Sequence, residues 1–149
     1  KALKGQITAT EFTTLGDNTI VGHNCKIHRN VFVDEGVTIG NYVKIQNNNS
    51  IYNGVVLEDG VFVGTNVSFT NDRNPRSLNE DGTPVKRGDW KKECTIVRRG
   101  ASIGAGAVIR CGVVIGEKAM VGCGAVITKD VPPYAVVVGP AAQILYYVD

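Results

Sequence analysis

Asn71, Asp72, Arg73 and Arg76 fall within one six-residue span, and Trp90 follows in the same polar segment, TNDRNPRSLNEDGTPVKRGDWKKEC, from residue 70 to about 95. These side chains have definite chemical uses. A guanidinium is planar and forked, so Arg73 or Arg76 could grip a phosphate through paired charged hydrogen bonds; an ion pair with Asp72 is the structural alternative. Asn71 offers a donor and an acceptor that could orient a ligand, or cap the first turn of its own loop. Trp90 could stack on a base or plug the loop against the body. His28 titrates near neutrality and could serve as a base or a ligand contact, or simply face solvent. Gln46, Asn47 and Asn48 form a run of amides, and Lys86–Arg87, Lys91–Lys92 and Arg98–Arg99 are basic pairs, either solvated surface or a phosphate site.

The elements that must hold these residues show in a sixfold spacing. From Leu15 to Phe69 every sixth residue is branched apolar or aromatic, and the frame returns from Val97 to Ile127. Neither a helix, with a period near 3.6, nor an amphipathic strand, with a period of 2, gives that pattern; an internal repeat does. The fifth position of each hexad is small or apolar, and the fourth is nearly always Gly or Asn, from Asn18, Asn24 and Asn30 to Gly112 and Gly124. Those two residues tolerate positive φ best, so each hexad is a short strand followed by a bend. Such units stack into parallel ladders about 4.8 Å apart, with the first and fifth positions inside. Between Phe69 and Val97 the frame skips 28 residues, not a multiple of six, so residues 70 to about 95 are an insertion. An insertion this long usually carries function, and it could reach a neighbouring molecule and close a cleft.

This pattern resembles the hexapeptide-repeat family, which implies an all-β, left-handed parallel β-helix with three faces and eighteen residues per coil, here about six coils in one domain spanning 1–149. The segments VKIQNNNSIYNGVVLE (Val43–Glu58) and FTNDRNPR (Phe69–Arg76) are similar to bacterial UDP-2-acetamido-3-amino-2,3-dideoxy-glucuronate N-acetyltransferases and related enzymes of nucleotide-linked amino sugars. The segment Gly100–Gly139 is similar to the coenzyme-binding coils of the wider family. The resemblance implies an acetyl-CoA-dependent N-acetyltransferase, a 3-amino sugar nucleotide as acceptor, and a homotrimer with its sites between subunits. It also implies roles: Asn71 near the reacting amine; Gln46, Asn47, Asn48, Asp72, Arg73 and Arg76 at the sugar nucleotide; Gly104, Ala105, Gly106, Gly122, Gly124 and Lys129 at the coenzyme. With eighteen residues per coil, His28 stacks beneath Gln46 and could be a base or a sugar contact. Amide formation needs a neutral, aimed amine, donors for the developing oxyanion and an exit for a proton, which the departing CoA thiolate can take.

Two departures stand out. Asn49 occupies an inward position where relatives carry valine, so its amide must find partners inside. After Gly139 the chain runs Pro140-Ala141-Ala142-Gln143, without the basic residue that relatives place there for CoA phosphate.

Other uses of this fold fit less well. Serine and maltose O-acetyltransferases depend on a histidine motif that His23 and His28 do not match, and a γ-type carbonic anhydrase needs three zinc-binding histidines, so no metal is expected. A non-catalytic scaffold is the remaining alternative, since the fold hosts several functions. The hydrophobic content of 43% excludes a disordered chain, and a net charge of +2 excludes a general polyanion binder. Four cysteines without Cys-x-x-Cys pairing fit reduced thiols. With neither a signal-peptide pattern nor a membrane-length apolar run, a cytoplasmic protein with no nucleic-acid or membrane partner is expected.

Overall fold

The computed structural model describes residues 2–3, 7–140 and 143–147. Strands of two to four residues stack into three parallel sheets, one per face of a prism. The first face runs from Ala2–Leu3 to Val114–Ile115, the second from Ile7–Ala9 to Ala135–Val138, and the third from Thr14–Leu15 to Val126–Ile127. Register repeats every 18 residues, as in Ile27 beside Ile45 and Val33 beside Ile51. There are six complete turns, and a seventh begins with the bridge from Ile115 to Val131 and the strand Ala135–Val138. This all-β solenoid, with no helix among the described residues, is consistent with the left-handed hexapeptide-repeat prism.

The hexad accounts for the geometry residue by residue. First and fifth positions make one continuous core, with Val21, Ile27, Val33, Ile39, Ile45 and Leu57 fully buried. Leu15, in the first strand of the third face, is only partly buried. Every Asn or Gly at the fourth position adopts positive φ, from Asn18 at 56° to Gly124 at 68°. Tyr42 (58°) and Lys118 (53°) stand at the same bend and adopt it too, although a side chain with Cβ is strained there. Backbone N–H groups donate to carbonyls one turn away, as Lys44 does to Val61 at 3.0 Å, so little of the buried backbone lacks a partner.

Two features interrupt the repeat. Across the insertion the register offset is 40 residues in place of 18, a surplus of 22, and the three faces resume without slippage. At the far end, Gln143–Tyr147 reverses direction and pairs antiparallel with Ala135–Val138, an ending that the repeat does not foretell.

Candidate functional site

The 18-residue register puts Glu35, Asn53, Asn71, Cys111 and Lys129 in one column on the corner between the third and first faces. The insertion leaves the shaft here. It does not extend outward; it folds back along its own corner toward the N-terminal turns. Arg87 forms an ion pair with Glu35, and Lys92 Nζ donates to Asn53 Oδ1 at 2.8 Å. Higher up, Arg73 places Nε at 3.0 Å and Nη2 at 2.7 Å from Glu93 Oε2. This pair lies over Gly112, where a Cβ would collide with Glu93 Oε2, so the bare corner makes room for it. The segment itself closes into a small antiparallel turn, with a bridge from Leu78 to Pro84.

Between the strap and the shaft lies an open groove of about 560 Å³, lined by Asn71 and Trp90, by Lys86, Arg87 and Lys92 from the strap, and by Asp34, Glu35 and Asn53 from the shaft. Trp90 is half-buried and forms part of the wall, not a plug sealed in the core. Both oxygens of Asp34 are occupied, by the N–H groups of Glu35 (2.8 Å) and Asn53 (3.1 Å), so Asp34 fixes the corner. Glu35 has its partner in the exposed Arg87.

Other residues singled out by sequence have different surroundings. Arg73 is ion-paired, but with Glu93 and not with Asp72; Asp72 instead accepts the Asn74 N–H at 2.9 Å in an Asx turn. Arg76 is exposed, and its guanidinium donates to the Pro75 carbonyl. His28 does stack under Gln46, but on the corner between the second and third faces, in a separate hollow with Glu11, Arg29 and Asn47. The structure therefore does not bring His28 to Asn71 within one chain. Asn47 and Asn48 are rungs of that same corner: Asn47 Oδ1 accepts the Arg29 N–H at 3.2 Å, and Asn48 Oδ1 accepts from the Asn30 amide at 3.0 Å.

Gly104, Ala105, Gly106, Gly122 and Gly124 also follow strands of the second face, and so occupy its corner with the third. A Cβ on Gly104 would meet the Cys123 nitrogen at 2.5 Å, so this glycine lets successive corners stack. Gly106 and Gly124 face open space and leave accessible backbone. Lys129 is exposed on the Asn71 corner, two turns above it. Ala141 and Ala142, of the divergent ending, lie outside the described residues. Among the basic pairs, Arg98 and Arg99 are engaged by Glu58 (2.6 Å) and Asp59 (3.7 Å), and Lys86, Arg87 and Lys92 line the groove.

Sequence reasoning missed Glu35, Asn53 and Asp34. The signal was available for the first two, which lie 36 and 18 residues before Asn71 and so share its column.

The pattern described as the hexapeptide repeat of succinyl-transferase matches residues 13–53 and 95–129, just over half of the sequence. The chain belongs to the hexapeptide-repeat family. No curated protein matches it significantly. Among solved structures, a mutant of AntD, an N-acyltransferase from Bacillus cereus in complex with dTDP and coenzyme A, superposes with a TM-score of 0.85 at 17% identity, covering 99% of this chain and 84% of that one. A mutant of GDP-perosamine N-acetyltransferase from Caulobacter crescentus, in complex with CoA and GDP-perosamine, gives 0.64 at 18% identity, covering 96% of this chain and 57% of that one. A hexapeptide-repeat acetyltransferase from Vibrio cholerae O1 biovar eltor, complexed with acetyl coenzyme A, gives 0.58 at 24% identity, over 93% and 72%. At these identities the likeness is one of fold.

Proposed function

We propose that the protein is a CoA-dependent acyltransferase that acylates the amino group of a nucleotide-linked amino sugar, with acetyl-CoA as donor and a 3-amino sugar as acceptor. The observation that carries this reading is the groove beneath the strap. It sets an amide (Asn71), an indole (Trp90) and three cationic side chains (Lys86, Arg87, Lys92) around a volume of about 560 Å³. A base can stack on the indole, a diphosphate suits the cations, and the amide can orient the sugar amine. AntD and perosamine N-acetyltransferase, with the same fold, are described with a nucleotide or a nucleotide sugar together with CoA. In the reaction the amine lone pair attacks the thioester carbonyl carbon, the C–S bond breaks, and the CoA thiolate takes the proton lost from nitrogen. Gly106 and Gly124 offer open backbone to the pantetheine arm, and Lys129 a charge to a CoA phosphate.

The reading includes a trimer. The outward residues of the first face, Ile20, Thr38, Val56, Ile96 and Val114, form a column without charge, whereas the second face carries Lys26 and Lys44. A face of that composition suits burial against another copy, and the groove lies on its border. The four free cysteines fit a reducing compartment such as the cytoplasm.

The test is CoA release with acetyl-CoA and a panel of UDP- and dTDP-linked 3- and 4-amino sugars, followed with a thiol reagent. One productive acceptor, with a product heavier by one acetyl group, is the expected result. Silence across the panel, together with no acetyl-CoA binding by calorimetry, would favour a non-catalytic scaffold.

A further inference from the structure

We infer that Glu35 recognises the acceptor nitrogen as an ammonium, and that Arg87 exposes it for that task by moving onto the nucleotide diphosphate. This rests on the acyl-transfer reading and names what selects an amine over a hydroxyl in the same groove. Glu35 lies in the Asn71 column, on the groove wall, and is the acidic side chain there whose charge is met by a strap residue and not by backbone. Asp34, its neighbour, already accepts two backbone N–H groups and is held in place. Lys92 is anchored on Asn53, so Arg87 is the strap cation engaged with the carboxylate that faces the site.

The Glu35–Arg87 pair is self-contained and partly exposed, with side-chain exposures of 39% and 79%, so it is weak enough to exchange. A diphosphate offers the guanidinium more charge and a bidentate geometry. Once Arg87 turns to it, Glu35 is a carboxylate without a counter-ion on the wall of the groove that Asn71 also lines, two turns up the same column. An incoming ammonium restores the charge balance, and a hydroxyl cannot. Binding therefore couples the two ends of the acceptor: the diphosphate at one end uncovers the amine-selective group at the other. The ammonium gives its extra proton to water in the open groove before attack, as any acylated amine must, and the second proton lost from nitrogen goes to the CoA thiolate.

The experiment compares the unaltered protein with Glu35→Gln and Glu35→Asp in steady-state acetyl transfer to the productive amino sugar nucleotide, across pH. For the unaltered protein KM should rise as pH passes the pKa of the sugar amine, because the charged form binds best. Glu35→Gln should raise KM roughly tenfold below that pKa and abolish the pH dependence, with a smaller change in kcat; Glu35→Asp should restore the dependence in part. Free nucleoside diphosphate should bind Glu35→Gln at least as tightly as the unaltered protein, since Arg87 no longer has to leave a carboxylate. A Glu35→Gln variant with the KM and pH profile of the unaltered protein overturns this assignment alone. No turnover by the unaltered protein with any acceptor overturns the acyl-transfer reading and this assignment with it.

Discussion

Asn49 is an amide enclosed by valines and isoleucines, and it persists there because every polar atom is met. Its Nδ2 donates to the carbonyls of Gln46 and Gly64, both at 2.8 Å, and its Oδ1 accepts the Val67 N–H at 2.9 Å. It ties one turn of the prism to the next, just below the insertion. Replacing it with Ala strands these backbone groups in the core, and unfolding free energy should fall by about 2–3 kcal/mol, measured by denaturant titration. The sequence showed that this inward amide needed partners; which carbonyls would serve depended on the stacking of turns. Tyr42 presents the opposite situation, a strained bend with an exposed side chain. Tyr42→Asn should raise stability by about 1 kcal/mol in the same titration, since Asn tolerates positive φ and no buried contact is lost. The role proposed for Asn71 is in chemistry, not in folding. Asn71→Ala should cut kcat about a hundredfold without moving the thermal transition, and near-normal turnover would remove it from the site.

The strap is the element on which the proposed specificity depends. Its existence and position were legible, because a repeat that stops and resumes off-frame marks an insertion. Its course was not, because it is fixed by pairs such as Arg87–Glu35 and Lys92–Asn53, between residues with no periodic relation. Its internal turn is held by carboxylates. Asp89 accepts the Lys86 N–H at 2.7 Å and a donor from Asn79, and Asp81 accepts the Thr83 hydroxyl and N–H. These hydrogen bonds hold both carboxyls below the usual aspartate range, led by the Lys86 N–H for Asp89 and the Thr83 hydroxyl for Asp81. A carboxyl depressed in the folded state stabilises it above the unfolded pKa, near 3.9, and that contribution fades as pH falls through the lower folded value. Residues 79–89 should therefore open below about pH 4 while the prism, held by apolar stacking, remains. Limited pepsin digestion across that range should cut the strap first; simultaneous loss of strap and prism would show that the carboxylates do not hold it separately.

At the scale of the whole molecule, a solenoid has faces as well as ends, and their outward residues are free of the constraint that fixes the core. On the first face they carry no charge and are mostly branched apolar: Ile96 lies in register between Val56 and Val114, with Ile20 and Thr38 below. Buried repeat positions are legible from spacing alone, but an outward column gains meaning only when the register shows which residues align across turns, and the insertion hides that alignment between Val56 and Ile96. The groove borders this face, so a second copy docked there would stand beside Asn71 and Glu35 and wall the site from water. Ile96→Lys puts a charge at the centre of the proposed contact while leaving the inward core untouched. Light scattering should then report monomers where the unaltered protein, on this proposal, should give trimers; circular dichroism should be unchanged, and acetyl transfer should drop with the loss of the neighbouring wall. A trimer that survives the substitution would move the contact to another face, and full activity in a monomer would mean that the groove of one chain suffices.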